Sequence, residues 1–252
     1  MRICCTITIH TLVIKLGALC TWNLVFTMGA AYLMLVNWDF IETVFLDMDG
    51  TLLDLYYDNF IWDVALPEKF AQVHNVALEQ AKETIKKCID ARRGTLNAYC
   101  FTHWSNLLGF DMLELYENHQ HLIGYRDNAE DFLKLLAKRF SNIYLVTNAD
   151  RKNIHLKIKN TELDKNIMKI FSSSELGYAK EQVEFWKKLQ KNISFNCIST
   201  LLIDDNPSVL KAARAFGIDN LLLISRPCSK SAEQSNTDFI NLKSFKQIMQ
   251  NF

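Results

Sequence analysis

Two aspartates one residue apart, Asp47 and Asp49, close a short run of β-branched and apolar residues, Thr43-Val44-Phe45-Leu46. Side chains at i and i+2 of an extended segment point the same way, so both carboxylates can face one site. Two later runs end alike: Asn142-Ile143-Tyr144-Leu145-Val146 leads into Thr147-Asn148, and Thr200-Leu201-Leu202-Ile203 into Asp204-Asp205. As parallel strands of one sheet, these runs would bring Asp47, Asp49, Thr147, Asp204 and Asp205 to one crevice at their carboxyl ends. Four converging carboxylates repel, and their natural occupant is a hard cation with oxygen ligands and retained waters, Mg²⁺. Lys180, in Gly177-Tyr178-Ala179-Lys180, supplies a further positive charge. A carboxylate-held cation with a hydroxyl donor and a lysine is a phosphate-handling arrangement. One carboxylate can attack phosphorus while its neighbour two residues on moves protons. A lone Asp-x-Asp is explained as well by turn chemistry at a strand end; the Thr-Asn and Asp-Asp at later strand ends favour the site.

The elements that must carry these residues alternate. Met168 to Phe171 and Leu221 to Ile224 are two further short apolar runs, and continuous apolar strands of this kind suit a parallel sheet covered on both faces. Ala129, Phe132, Leu133, Leu136, Ala137 and Phe140 follow helical spacing, as do Val209, Leu210, Ala213 and Phe216. The second helix opens on Asn206-Pro207 and stops at Gly217. A doubly wound α/β sheet is therefore expected. Residues 55–125 carry only helical patterns, including the stripe Leu96, Tyr99, Cys100, His103, Trp104 and Leu107. They read as a helical insert that leaves the sheet near Leu53 and returns near Arg126. Ser225 to Asp238 reads as a polar loop, followed by a closing helix from about Phe239 to Met249.

The 252 residues hold 28 basic and 28 acidic side chains. That balance argues against a general nucleic-acid binder, which would show a basic excess or stripe. Sixteen Phe and five Trp against three Pro exclude a disordered or fibrous chain. The seven cysteines form no Cys-x-x-Cys pair, so neither a zinc site nor a dithiol redox motif is supported. His119 and His121 lack an acidic or Cys partner at ligand spacing and read as a polar helix end. A serine-hydrolase reading of Ser172-Ser173-Ser174 fails for want of a nucleophile elbow.

Leu16 to Trp38 carries no charge and is about the length of a bilayer span. It can be read as a membrane anchor, as a cleaved signal, or as sequence upstream of a working start at Met34 or Met28. Asp39 stands only a few residues before a buried strand, with no linker, which favours the third reading. Without residues 1–33 the chain has 26 basic and 28 acidic side chains and four scattered cysteines, as suits a reduced cytoplasmic enzyme.

Val44-Phe45-Leu46-Asp47-Met48-Asp49-Gly50-Thr51-Leu52, Leu145-Val146-Thr147-Asn148, Lys180 and Leu202-Ile203-Asp204-Asp205 resemble, in order, the four motifs of the haloacid dehalogenase (HAD) superfamily. The resemblance implies a HAD-like Rossmannoid core over 38–54 and 126–252, with 55–125 as a C1-type helical cap. It makes Asp47 the nucleophile and Asp49 the proton donor and acceptor. Thr147 and Asn148 would hold phosphoryl oxygens, with Lys180 orienting Asp47 and offsetting charge. Mg²⁺ would be held by Asp47, the Asp49 backbone carbonyl, Asp205, and Asp204 directly or through water. True dehalogenases lack the second Asp, so a phosphatase or phosphotransferase is implied. The stretches LDMDGTLLDLYYDNFIWDVALPE, TLNAYCFTHWSNLLGFD and ELGYAKEQVEFW are similar to the GMP/IMP nucleotidases of the superfamily, which implies a purine nucleoside 5′-monophosphate as substrate. Tyr57, Phe60, Trp62 and Tyr99 are then candidates for stacking on the base, and Tyr56, Asn59, Arg93 and Asn97 for polar contacts. Two other readings stay open: a phosphatase or mutase for sugar phosphates, and a membrane-tethered non-catalytic interaction protein.

Overall fold

The computed structural model describes residues 35–250 and 252. The apolar N-terminal stretch through residue 34, with the anchor, signal and start-site expectations that fall on it, lies outside the described residues. The end of that run is inside a core. Val36 and Trp38 are buried, the Trp38 indole N–H donates to the Ile248 carbonyl at 3.1 Å, and its ring packs on Phe132, Phe140 and Phe252. Among the described residues no helix is long and apolar enough to cross a membrane.

Among the described residues six parallel strands form one sheet: β1 Thr43–Leu46, β2 Ile143–Thr147, β3 Lys169–Ser172, β4 Thr200–Asp204, β5 Asn220–Ile224 and β6 Ile240–Leu242. Their order is β3-β2-β1-β4-β5-β6, so the winding direction reverses between β1 and β4. In such sheets ligands bind outside the carboxyl ends at that reversal. The register is close: Leu46 pairs with Leu145 on one side and Ile203 on the other.

Every residue of β1, β2 and β4 is buried, because helices cover both faces. Successive side chains alternate between the faces. Val44 and Leu46 join Phe132, Leu133, Leu136, Leu145 and Ile203 on one side. Phe45 joins Tyr144, Val146, Phe185, Trp186 and Leu202 on the other. Helix Pro207–Phe216 starts and stops as its sequence requires: the Asn206 side chain accepts from the Ser208 N–H at 2.9 Å, and Gly217 takes φ +118°.

Between β1 and β2 a series of short helices and helical turns joined by loops runs from Tyr56 to Leu122. Tyr57, Ile61, Leu66, Ile85, Phe101, Trp104, Leu108, Met112 and Tyr116 form its own core, which also takes in Leu156 from helix Arg151–Thr161. The outgoing and returning strands of chain touch at an antiparallel bridge between Leu53 and Tyr125. Arg126 secures that crossing, donating to the carbonyls of Thr51 at 3.1 Å and Arg226 at 3.0 Å.

Two sequence expectations are corrected. The stripe from Leu96 to Leu107 is not one helix: a 3₁₀ turn, Leu96–Ala98, precedes helix Phe101–Leu108. Cys100 sits at the N-cap, the inward face is Phe101, Trp104 and Leu108, and Leu107 is exposed. The closing helix is also shorter than its pattern. Ile240–Leu242 forms β6 on the free edge of β5, and only Lys246–Met249 is helical. Phe239, Leu242, Phe245 and Ile248 recur every three residues, but here that spacing is met by an edge strand, a turn and one helical turn, all buried. The unpaired N–H and C=O groups of β5 give the segment a partner that its own periodicity cannot reveal.

Candidate active site

Asp47 follows β1 directly, and its N–H donates to the Ile203 carbonyl at 3.1 Å, so it is held against the end of β4. There Asp204 and Asp205 follow. The carboxylates of Asp47, Asp204 and Asp205 each place an oxygen within 4.8 Å of the others. Lys180 enters from the loop after β3 and is buried. Its ammonium donates to Asp47 Oδ1 at 2.5 Å, Asp204 Oδ2 at 2.7 Å and the Val146 carbonyl at 3.1 Å. The other Asp204 oxygen accepts the Asn206 N–H at 2.9 Å. Asp204 is thus an anchor for Lys180 and for the turn into helix Pro207–Phe216. No hydrogen bond among the described residues ends on an Asp205 carboxylate oxygen.

Charge in this cluster does not balance. Three carboxylates face one ammonium, leaving two negative charges, which one divalent cation would balance. Burial pushes Asp47 up to about 7, against the pull of Lys180 and with repulsion from Asp204 and Asp49. Burial, then Asp47 and Asp204, hold Asp205 well above the usual carboxylate range. Burial lowers Lys180, but Asp204 and Asp47 outweigh it and hold the ammonium charged. An unbonded carboxylate beside two others, in a cluster short of two positive charges, fits a hard dication with oxygen ligands.

Gly50 leaves room for this. Its φ is +80°, and a Cβ there would lie 2.4 Å from Asp205 Oδ2. The same turn carries Asp49, whose Oδ1 accepts from the Lys157 ammonium at 2.5 Å. Asp47, Asp49, Thr147, Asn148, Lys180, Asp204 and Asp205 all border one cavity of about 710 Å³. Its far wall comes from the helical segment, including Asn59, Trp62, Asp63, Arg93 and Tyr99.

A family model described as haloacid dehalogenase-like hydrolase matches residues 44–223. The GMP/IMP nucleotidase YrfG of Escherichia coli (strain K12) is 31% identical over 214 residues, covering 85% of this chain and 96% of that protein. The chain belongs to the haloacid dehalogenase-like hydrolase family. Solved structures share the fold. The HAD phosphatase from Thermococcus onnurineus superposes with a TM-score of 0.68 at 16% identity, over 84% of this chain and 97% of that one. The HAD-hydrolase YfnB from Bacillus subtilis, bound to magnesium, gives 0.60 at 18% identity, over 84% and 98%.

The residues read from the sequence of this HAD-like hydrolase divide into two groups. Those at the strand ends come together as described. Asn148 does so with its amide already engaged: Oδ1 accepts the Lys180 N–H at 2.9 Å, and Nδ2 donates to Glu181 Oε2 at 2.9 Å. Its side chain therefore also sets the loop that carries Lys180. In the helical segment, Asn59, Trp62, Arg93 and Tyr99 border the cavity, while Tyr56, Tyr57, Phe60 and Asn97 are not among its walls. Tyr57 is buried in the segment's own core, its hydroxyl donating to the Tyr116 carbonyl at 2.7 Å. Phe60 packs on His119, Tyr56 stands near Phe60, and Asn97 is exposed. Tyr99 is less a free stacking surface than a bridge. Its hydroxyl donates to Glu181 Oε1 at 2.7 Å, and burial followed by Glu181 raises its pKa.

Several residues escaped the sequence reading. Asp63 reaches the cavity from a π-helical turn, Ile61–Ala65. Glu181 ties together Tyr99, Asn148 and Asn206. Lys157 and Asp58 form an ion cluster with Asp49. Only Lys157 left a trace: it falls on the inward stripe of helix Arg151–Thr161, three residues after Ile154, where an apolar residue is expected.

Proposed function

We propose that this hydrolase removes phosphate from purine nucleoside 5′-monophosphates, GMP and IMP, through an aspartyl-phosphate at Asp47. The observation that carries the reading is the juxtaposition of Asp47, tied to Lys180, and Asp49 on one wall of a nucleotide-sized cavity. An Asp47 carboxylate oxygen attacks phosphorus. The bond from phosphorus to the ester oxygen breaks, and the departing oxygen takes a proton from Asp49. Asp49 then accepts a proton from water as that water attacks phosphorus, releasing phosphate and restoring the Asp47 carboxylate. Lys180 keeps Asp47 in line and offsets charge on the phosphoryl oxygens, and Thr147 and Asn148 border the same cavity.

Asp47, Asp205 and the Asp49 carbonyl, with Asp204 behind them, would hold Mg²⁺, which when bound neutralises the cluster and draws charge from the phosphoryl group. In this reading residues 38–54 and 126–252 are the catalytic core and 55–125 a cap that supplies the base-side wall. Support for a purine comes from the nucleotidase named above and from the cavity wall, which Trp62 shares with the polar residues Asn59, Asp63 and Arg93. Cys88, Cys100, Cys197 and Cys228 are free thiols, in keeping with a reducing cytoplasm.

The test is phosphate release from nucleoside monophosphates, sugar phosphates and phosphoglycolate by the purified protein with Mg²⁺. GMP and IMP are expected to lead. A preference for hexose phosphates would overturn the substrate, and near-full activity of Asp47→Asn would overturn the mechanism.

A further inference from the structure

Lys157 is the second fully buried lysine at this site, and the roles above do not use it. It lies on helix Arg151–Thr161 with its side chain 1% exposed. Its ammonium donates to Asp49 Oδ1 at 2.5 Å and to both oxygens of Asp58, at 2.9 and 2.8 Å. The ring of Tyr57 stands 5.6 Å away. Three separate pieces of chain meet here: the loop after β1, the first helix of the helical segment (Tyr56–Phe60), and the helix after β2.

Stability alone is a poor reason for this cluster. A buried ion group of one cation and two carboxylates carries net charge, and apolar packing in its place is often neutral or better. The arrangement does act on Asp49. Its Oδ1 is taken by Lys157, and no hydrogen bond among the described residues ends on Oδ2, at a residue that borders the cavity. One oxygen is held while the other stays open to a leaving group or a water. Asp58 in turn occupies Lys157 through two oxygens, so the ammonium has little freedom to swing away from Asp49. Moving helix Tyr56–Phe60 would strip Lys157 of two of its three acceptors.

We propose that Lys157 and Asp58 are positioning residues for the proton-transferring Asp49, and that they tie its orientation to the seating of the first helix of the helical segment. This rests on the phosphomonoesterase reading above, and its test separates the two. Single-turnover release of the leaving group is compared for GMP, whose ribose oxygen must be protonated, and p-nitrophenyl phosphate, whose phenolate departs unprotonated. Lys157→Met should lower the GMP rate about 10- to 100-fold more than the p-nitrophenyl phosphate rate, a share of the roughly 10²–10⁴-fold that general acid–base catalysis supplies. KM should move by less than about threefold. Equal losses on both substrates would overturn the proposal, since a purely structural defect does not distinguish leaving groups. Asp58→Asn, which keeps the ammonium and Asp49, decides alone if Lys157→Met does not fold. It should lower the GMP to p-nitrophenyl phosphate rate ratio about three- to tenfold, and an unchanged ratio would overturn the proposal. If the unaltered protein spares GMP but hydrolyses p-nitrophenyl phosphate and glycerol 2-phosphate, the nucleotide reading falls and Lys157 is judged on the latter pair. Turnover of no phosphomonoester would overturn both.

Discussion

Removing the Lys180 ammonium together with one of its partners should cost less stability than the two separate losses added together. Lys180→Met leaves Asp47 and Asp204, both buried, without the cation that donates to each at 2.5 and 2.7 Å. Breaking a buried pair by deleting one partner typically costs about 3–5 kcal/mol, because a desolvated charge is left uncompensated. At about 2–4 °C per kcal/mol for a domain of this size, the metal-free variant should melt roughly 6–20 °C lower. Lys180→Met/Asp204→Leu removes one of the two stranded carboxylates and fills its space with an apolar group. It should recover at least about 1.5 kcal/mol relative to the sum of the single changes, a coupling within the range for contacting residues. The single-variant loss should also shrink as pH falls, because Asp47 and Asp204 then take up protons in the folded state. Urea titrations in EDTA near pH 8, followed by tryptophan fluorescence, read all of this, since the buried Trp186 indole donates to the Lys180 carbonyl at 2.9 Å. Additive losses, or a Lys180→Met cost below about 1 kcal/mol, would refute the reasoning. Neither variant should release phosphate.

Metal-free protein should be more stable near pH 5.5 than near pH 8. Asp47 rises to about 7 and Asp205 also rises, so both bind protons more tightly folded than unfolded, and stability falls as pH climbs through that interval. Asp58, raised to about 6 mainly by burial, adds in the same direction. EDTA should abolish phosphate release, and Mg²⁺ should restore it and remove most of the deficit at pH 8; a melting temperature that rises with pH in EDTA would contradict this. Gly50→Ala should cost about 1–3 kcal/mol for a side chain at φ +80° and also push on Asp205, 2.4 Å from the new Cβ. Its Mg²⁺ requirement should rise at least tenfold. Gly177→Ala, at φ +81° with no neighbour within 4 Å, carries the strain alone and tells the two effects apart by thermal melts and Mg²⁺ titration.

Much of the site was legible in the chain because strand-end chemistry is local. Asp47, Thr147 and Asp204 each follow directly on a short β-branched and apolar run that reads as a buried strand, and parallel strands present their ends on one side. The doubly wound class is legible from the alternation of strands and helices, as is helix Pro207–Phe216 with its Asn206 cap and Gly217 stop, whereas the order of the strands came from the structure. The β6 strand was not. Its apolar spacing fits a helix equally well, and the free edge of β5 decided the matter.

The charged machinery away from strand ends depended on tertiary structure. Lys157 lies 108 residues from Asp49 and 99 from Asp58 in sequence, and ordinary helix surfaces are full of lysines and aspartates. Only the approach of three separate elements buries these side chains and makes them partners. The same holds for the cavity wall. Tyr57, Phe60, Trp62 and Tyr99 are equally aromatic, but the packing of the helical segment turned Tyr57 inward and left Trp62 on the cavity. Sequence determined which groups end the strands and so where the acid cluster must lie. Tertiary structure decided which distant charges are desolvated together, because burial and distance, not residue type, set the strength of those interactions.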